Sequence, residues 1–192
     1  MLTIEKLSEK NLYEVLTTLF PTTEIIKQKS FSNGRRRMIV DYYMEIDSCQ
    51  IAIEFDGPTH FTRTSTQIRD LDLEDYCTYN NIMLVRIPYF IQINDRTLYW
   101  LFGYDMVVKY DLEDKVTCLY DHGFIDKGCV LPGDYNAHGV ELYCEIYRSL
   151  ILADCWSVVQ SIFDSSKQYS EDNFIGLYPT EELQMLWDNY PT

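Results

Sequence analysis

Residues 51–61 read Ile51-Ala52-Ile53-Glu54-Phe55-Asp56-Gly57-Pro58-Thr59-His60-Phe61, an apolar strand that turns acidic and ends in a Gly-Pro turn. Side chains alternate along a strand, so Glu54 and Asp56 share one face while Ile51, Ile53 and Phe55 share the other. The apolar face reads as core. Two carboxylates on the opposite face are costly to desolvate and need a cation, hydrogen bonds or water at the strand end. A second strand lies just upstream, Arg37-Met38-Ile39-Val40-Asp41-Tyr42-Tyr43. If the two pair as a hairpin, Asp41 meets Glu54 and the pair forms a hard-oxygen site suited to Mg²⁺. A solvated Asp-Gly turn at a strand end is the plainer alternative for the same residues.

Outward from this stretch, the first half of the chain has a legible order. Leu12, Val15, Leu16 and Leu19 recur at helical spacing, which predicts a helix from Asn11 to Phe20, stopped by Pro21. Glu24 to Phe31 reads as a strand, Ser32-Asn33-Gly34 as a turn and Met38 to Met44 as the next strand. Asp47-Ser48-Cys49 turns the chain into the Glu54 strand. Ile68 to Asn80 carries an imperfect helical pattern with Ile68, Leu71, Leu73, Tyr76 and Tyr79 as apolar members. Ile82 to Ile87 is an apolar strand broken only by Arg86, suited to the interior of a mixed sheet. The Ile68 helix serves as a crossover, so the Val85 strand should run parallel to a neighbour.

The second half is harder to read. Leu98 to Tyr110 suits a helix or a strand, Gly123 to Tyr135 is rich in turn residues, and Gly139 to Phe163 reads as one long helix or two. A short helix is expected from Thr180 to Trp187. Large apolar groups such as Trp156, Phe163, Leu183, Leu186 and Trp187 argue for a part packed on the sheet and not a free tail. The division expected is residues 1–96 as an α/β core and residues 97–192 as a mainly helical, acidic elaboration.

Charge follows the same division. The net charge is −14 over 192 residues; residues 1–96 hold 11 Lys+Arg against 14 Asp+Glu, and residues 97–192 hold 5 against 16. An acidic chain is a poor non-specific binder of nucleic acid, because phosphate contacts supply much of that affinity. Lys27, Lys29, Arg35, Arg36, Arg37, Arg63 and Arg69 offset this locally. No run of about 18 apolar residues occurs, so no membrane span is expected. No secretory leader is evident, and six cysteines at irregular spacing with no CxxC pair favour reduced thiols in a cytoplasmic or other intracellular protein. There is no Gly-rich phosphate loop and no Gly-x-Ser-x-Gly elbow. His122 and His138 sit in turn-like contexts. Tyr42, Tyr43 and Tyr89 could stack bases, with packing as the other role.

The ordered set Glu14, Gln28, Asp41, Glu54-x-Asp56-Gly57, His60, Arg69-Asp70 and Val85-Arg86-Ile87 resembles the restriction-endonuclease-like PD-(D/E)XK nucleases. It is most similar to the branch related to very-short-patch-repair endonucleases. The likeness covers residues 25–87. It implies a restriction-endonuclease-like fold, a central mixed β-sheet flanked by helices, and Mg²⁺- or Mn²⁺-dependent hydrolysis of phosphodiester bonds in DNA. On this likeness Asp41, Glu54, Asp56 and His60 are catalytic, with Asp41, Glu54 and Asp56 on the metal. Glu14, Gln28 and Arg69 are supporting residues. A metal polarises the phosphorus centre, activates water and neutralises the leaving oxygen; a histidine, with its unperturbed pKa near neutrality, could shuttle a proton. Where the pattern expects Lys, this chain has Asp56. That departure and the acidic second half support a competing reading: a catalytically inactive nuclease-like fold that binds a basic protein partner, or imitates nucleic-acid charge.

Overall fold

The computed structural model describes residues 1–32, 34, 36–119 and 134–152. Along these the order is β1 (Leu2–Ile4), α1 (Glu9–Leu19), β2 (Ile25–Ser32), β3 (Arg37–Ile46), β4 (Cys49–Asp56), α2 (Thr59–Thr62), α3 (Thr64–Tyr79), β5 (Met83–Pro88), α4 (Asp95–Phe102), α5 (Tyr104–Lys109), β6 (Val116–Cys118) and α6 (Ala137–Leu152). Strands β2, β3, β4 and β5 form a mixed sheet in that spatial order. The first two junctions are antiparallel hairpin pairings and β4–β5 is parallel, with Ile53 beside Val85 and Glu54 beside Arg86. The α3 crossover accounts for that parallel junction. The α/β class and the flanking helices thus agree with the sequence reading.

Each face of the sheet has its own core. Tyr42, Met44, Ile51, Ile53, Val85 and Ile87 pack with Leu12, Val15, Leu16 and Leu19 of α1 and with Leu98, Leu101, Phe102 and Val107 of α4 and α5. Val40, Tyr43 and Ala52 on the other face pack with Leu73 and Cys77 of α3. The apolar stripe of α1 is the one its spacing foretold, and the Ser8 N–H donates to Asn11 Oδ1 at its start (2.8 Å). Residues 98–110 are two helices broken at Gly103, whose φ of +76° favours a residue without a Cβ.

Three features were not foreseen. Strands β1 and β6, three residues each, pair in parallel and tie the chain start to residues 116–118. Helix α2 turns the Gly57-Pro58 corner into one helical turn, which a proline at its start favours. Helix α3 begins four residues earlier than Ile68 and is rotated from the expected face: Leu73 and Cys77 are buried, while Ile68, Leu71 and Tyr79 are exposed. The reason for that rotation lies at the site, where α3 turns Asp70 inward.

Helix α6 closes the far end. A Cβ at Gly139 would fall 1.8 Å from the Phe61 carbonyl oxygen, so α6 seats directly on the α2 backbone. Phe61 stacks on Tyr135 at 5.0 Å and joins Phe90, Val140 and Tyr143 in a separate core. The expectations for residues 123–133, for the part of the long helix past Leu152, for the Thr180 helix and for packing by Trp156, Phe163, Leu183, Leu186 and Trp187 lie outside the described residues. Among the described residues no helix is long and apolar enough to cross a membrane.

Candidate active site at a fork in the sheet

Strands β3 and β4 pair from Ile46↔Cys49 as far as Tyr42↔Ile53 and no further. The next position holds Asp41 and Glu54, and here side chains replace the ladder. The Asp41 N–H donates to Glu54 Oε1 (3.1 Å), and the Phe55 N–H donates to Asp41 Oδ2 (2.9 Å). Each carboxylate thus caps the opposite strand's backbone, and the sheet forks. Beyond the fork β3 continues beside β2 and β4 beside β5. Gln28 on β2 supports the arrangement. Its Nε2 donates to Asp41 Oδ1 at 3.2 Å, from a backbone with φ +52° that breaks the pairing between Lys27↔Tyr42 and Lys29↔Val40. A left-handed glutamine is strained, and strain of this kind concentrates at functional sites.

Glu54 is the less comfortable of the two. Burial, then repulsion from Asp41 and Asp56, pushes its pKa up to about 8, against the pull of Arg86 and the Asp41 N–H. A cation placed here would relieve that repulsion.

Asp56, two residues on, has a different environment. It is buried, and Arg86 clasps it as a fork: Nε to Oδ2 at 2.7 Å and Nη2 to Oδ1 at 2.8 Å. Arg86 also reaches Asp70 Oδ1 at 3.1 Å and Glu74 Oε1 at 3.5 Å. Burial raises the Asp56 carboxyl while the guanidinium and His60 pull it back. Burial alone would lower Arg86, but Asp56 and Asp70 drive it up, so it stays the cation at the centre. His60 completes the group, with Nδ1 at 2.8 Å from Asp70 Oδ2. Burial acts to raise Asp70, but the His60 hydrogen bond and Arg86 outweigh it and hold its carboxyl below its ordinary value.

The expected residues therefore divide. Asp41, Glu54 and Gln28 meet at the fork. Asp56 and His60 belong to a neighbouring cluster built on Arg86. Glu14 is exposed on α1, and among the described residues no hydrogen bond or ion pair joins its carboxylate to either group. Arg69 does not pair with Asp70 or Asp72, the partners its neighbours in sequence suggest. Its Nη2 donates to Thr66 Oγ1 (3.2 Å), Asp70 is taken by His60 and Arg86, and Asp72 is taken by Arg36. Tyr42 and Tyr43 are packed, not free faces: Tyr42 stacks with Tyr13 and Tyr43 meets Phe31 edge-on. Tyr89 bonds Tyr135 hydroxyl to hydroxyl at 2.8 Å. His138 lies in the first turn of α6, 3.6 Å from Glu141, and His122 lies outside the described residues.

Arg86, Asp70 and Glu74 carry roles the site reading had not assigned them. The available signal was Arg86 itself, a lone cation in an otherwise apolar strand, which must find carboxylates if buried.

A cleft of about 510 Å³ opens on the Glu54 side of the fork, lined by Glu54, Thr59, His60, Asp70, Asp72 and by Arg36, Arg37 and Arg69; Asp41 does not line it. Among the described residues no three His, Cys, Asp or Glu side chains form a ready metal group. Mg²⁺, however, is commonly held by only one or two carboxylates together with waters and substrate phosphates. Asp41 and Glu54 fit that requirement. Both have lone pairs beyond those used on the backbone, and Glu54 Oε2 meets no donor among the described residues. Compared with known proteins, the chain matches no family model, no curated sequence and no solved structure.

Proposed function

We propose that this chain is a metal-dependent nuclease that hydrolyses phosphodiester bonds, with DNA as its substrate, on a restriction-endonuclease-like fold. The observation that carries the reading is the fork: two carboxylates, Asp41 and Glu54, meet beside a cleft that Glu54 and three arginines line, and among the described residues no cation makes a hydrogen bond to either. Asp41 and Glu54 would hold Mg²⁺ or Mn²⁺, which when bound supplies charge neutralisation and an activated water. Asp56, whose two oxygens are occupied by Arg86, holds that arginine and assists the site from one step away. Arg36, Arg37 and Arg69 would receive phosphates along the cleft.

The test is cleavage of single- and double-stranded DNA and RNA by the purified chain with Mg²⁺ or Mn²⁺, beside Asp41→Ala and Glu54→Ala. Metal-dependent cleavage lost in both variants is expected. Cleavage that survives in either at the wild-type rate overturns the site.

Two observations favour a second reading, a nuclease-like fold without activity that binds a basic protein partner. The position where the pattern expects Lys is Asp56, spent on Arg86, and residues 97–192 hold 16 acidic against 5 basic groups. Absence of cleavage together with salt-sensitive binding of a polycationic protein would decide for it.

A further inference from the structure

We propose that Asp70 is a positioning residue that fixes the ring tautomer of His60, with the proton on Nδ1 and the lone pair on Nε2, so that Nε2 is the site's proton acceptor. The argument is a competition for one ring nitrogen. Arg86 Nη2 donates to Asp56 Oδ1 at 2.8 Å, lies 3.1 Å from Asp70 Oδ1 as an ion pair, and has a hydrogen within reach of His60 Nδ1 at 3.1 Å. That last contact would need a lone pair on Nδ1. The contact of Nδ1 with Asp70 is the shorter and is made to a full negative charge, so it prevails.

The other Asp70 oxygen, Oδ2, lies 2.8 Å from Nδ1. An ionised carboxylate only accepts, so this contact is a hydrogen bond only if Nδ1 carries the proton. Asp56 Oδ1, at 3.4 Å from Nδ1, favours the same state. Nε2 has no hydrogen-bond partner among the described residues, and His60 lines the cleft over Glu54. The backbone of His60 is also held. Gln67 donates to the His60 carbonyl (3.1 Å) and exchanges two hydrogen bonds of 2.9 Å with the Asn136 amide at the start of α6.

The ring assignment rests on geometry alone; its use in catalysis rests on the nuclease reading above. Substituting Asp70→Asn should therefore do something specific. Arg86 can only donate, so the new amide must turn its oxygen to Arg86 and its NH₂ to His60. Nδ1 must then accept, and the proton moves to Nε2.

The test is long-range ¹H–¹⁵N NMR of the labelled, metal-free chain, at a pH high enough for a neutral ring. The chain has three histidines, so His60 is assigned by its loss in His60→Asn. Wild type should show Nδ1–H and Asp70→Asn should show Nε2–H. Cleavage by Asp70→Asn should fall about 10²- to 10⁴-fold in kcat with KM little changed. His60→Asn keeps a donor for Asp70 and removes Nε2; it should lose a similar factor with an unshifted melt, and it serves if Asp70→Asn does not fold.

A wild-type ring protonated on Nε2 overturns the proposal, as does full kcat in either variant. Failure of the nuclease reading has a different mark: no cleavage by wild type at all, with the NMR assignment still standing or falling on its own.

Discussion

Two acidic clusters lie on the same face of the sheet, one step apart on β4, and they solve the same problem in opposite ways. Asp56, Asp70 and Glu74 surround Arg86, whose guanidinium answers all three. Among the described residues Asp41 and Glu54 have no such partner; they are met by two backbone N–H groups and one side-chain amide. The first cluster is complete within the protein. In the second, burial first and then repulsion from Asp41 and Asp56 hold the Glu54 pKa well above the ordinary carboxylate range. A fold can keep such a site only by holding its geometry with other bonds, which is what the fork in the sheet does. The contrast separates an ion pair that builds the structure from a pair of acids suited to a cation from outside.

The largest effect should come from removing the resident cation. Arg86→Met strands the buried Asp56 beside Asp70, and breaking a buried pair from one side costs about 3–5 kcal/mol. Urea unfolding measures it. A loss below about 1 kcal/mol would mean that the two clusters do not differ as described.

The opposite sign is expected at the fork. In metal-free protein Glu54 keeps its proton up to about pH 8 when folded but loses it near the ordinary 4.5 when unfolded. Its contribution is fully present below pH 4.5 and is lost as pH rises through 8. Glu54→Gln has no proton to lose and keeps an acceptor for the Asp41 N–H. It should match wild type near pH 4.5 and exceed it by about 2–3 kcal/mol above pH 8, a discounted reading of 1.36 kcal/mol per pKa unit. Equal stability curves across that range would show that the fork carries no stored repulsion.

Gly139→Ala tests whether both clusters depend on the seating of α6. The added methyl would fall 1.8 Å from the Phe61 carbonyl oxygen, so backbone must shift to admit it. A loss of about 1–3 kcal/mol is expected in thermal melts, and an unchanged melt would place α6 elsewhere. The smallest effect is ligand linkage. Mg²⁺ at about ten times its Kd should stabilise wild type by about 1.4 kcal/mol, leave Arg86-directed contacts unchanged, and do nothing for Glu54→Gln or Asp41→Asn.

The sequence alone went far on the sheet. Alternation in β2, β3 and β4, short turns between them and a helix before an apolar strand suffice to order four strands, because each pairing is local or bridged by one helix. It also brought Asp41 to Glu54, since a hairpin register follows from the turn. Strands β1 and β6 were illegible because three residues show no period, and their pairing spans more than a hundred positions. The α3 face departs from its hydrophobic spacing, which turns Ile68 and Leu71 inward, because Asp70 faces in and bonds His60 and Arg86 while those side chains stay exposed.

What residue order determined, then, was which acids lie on one face of β4 and which strand brings Asp41 to them. Only the tertiary structure decided which acid has a cation. Arg86 reaches Asp56 because β5 lies parallel to β4 in one register, Glu54 beside Arg86 and Asp56 beside Pro88, and because α3 crosses above them. That choice depends on distances of about 3 Å between elements far apart in sequence, and electrostatic energies in a buried site change steeply over such distances.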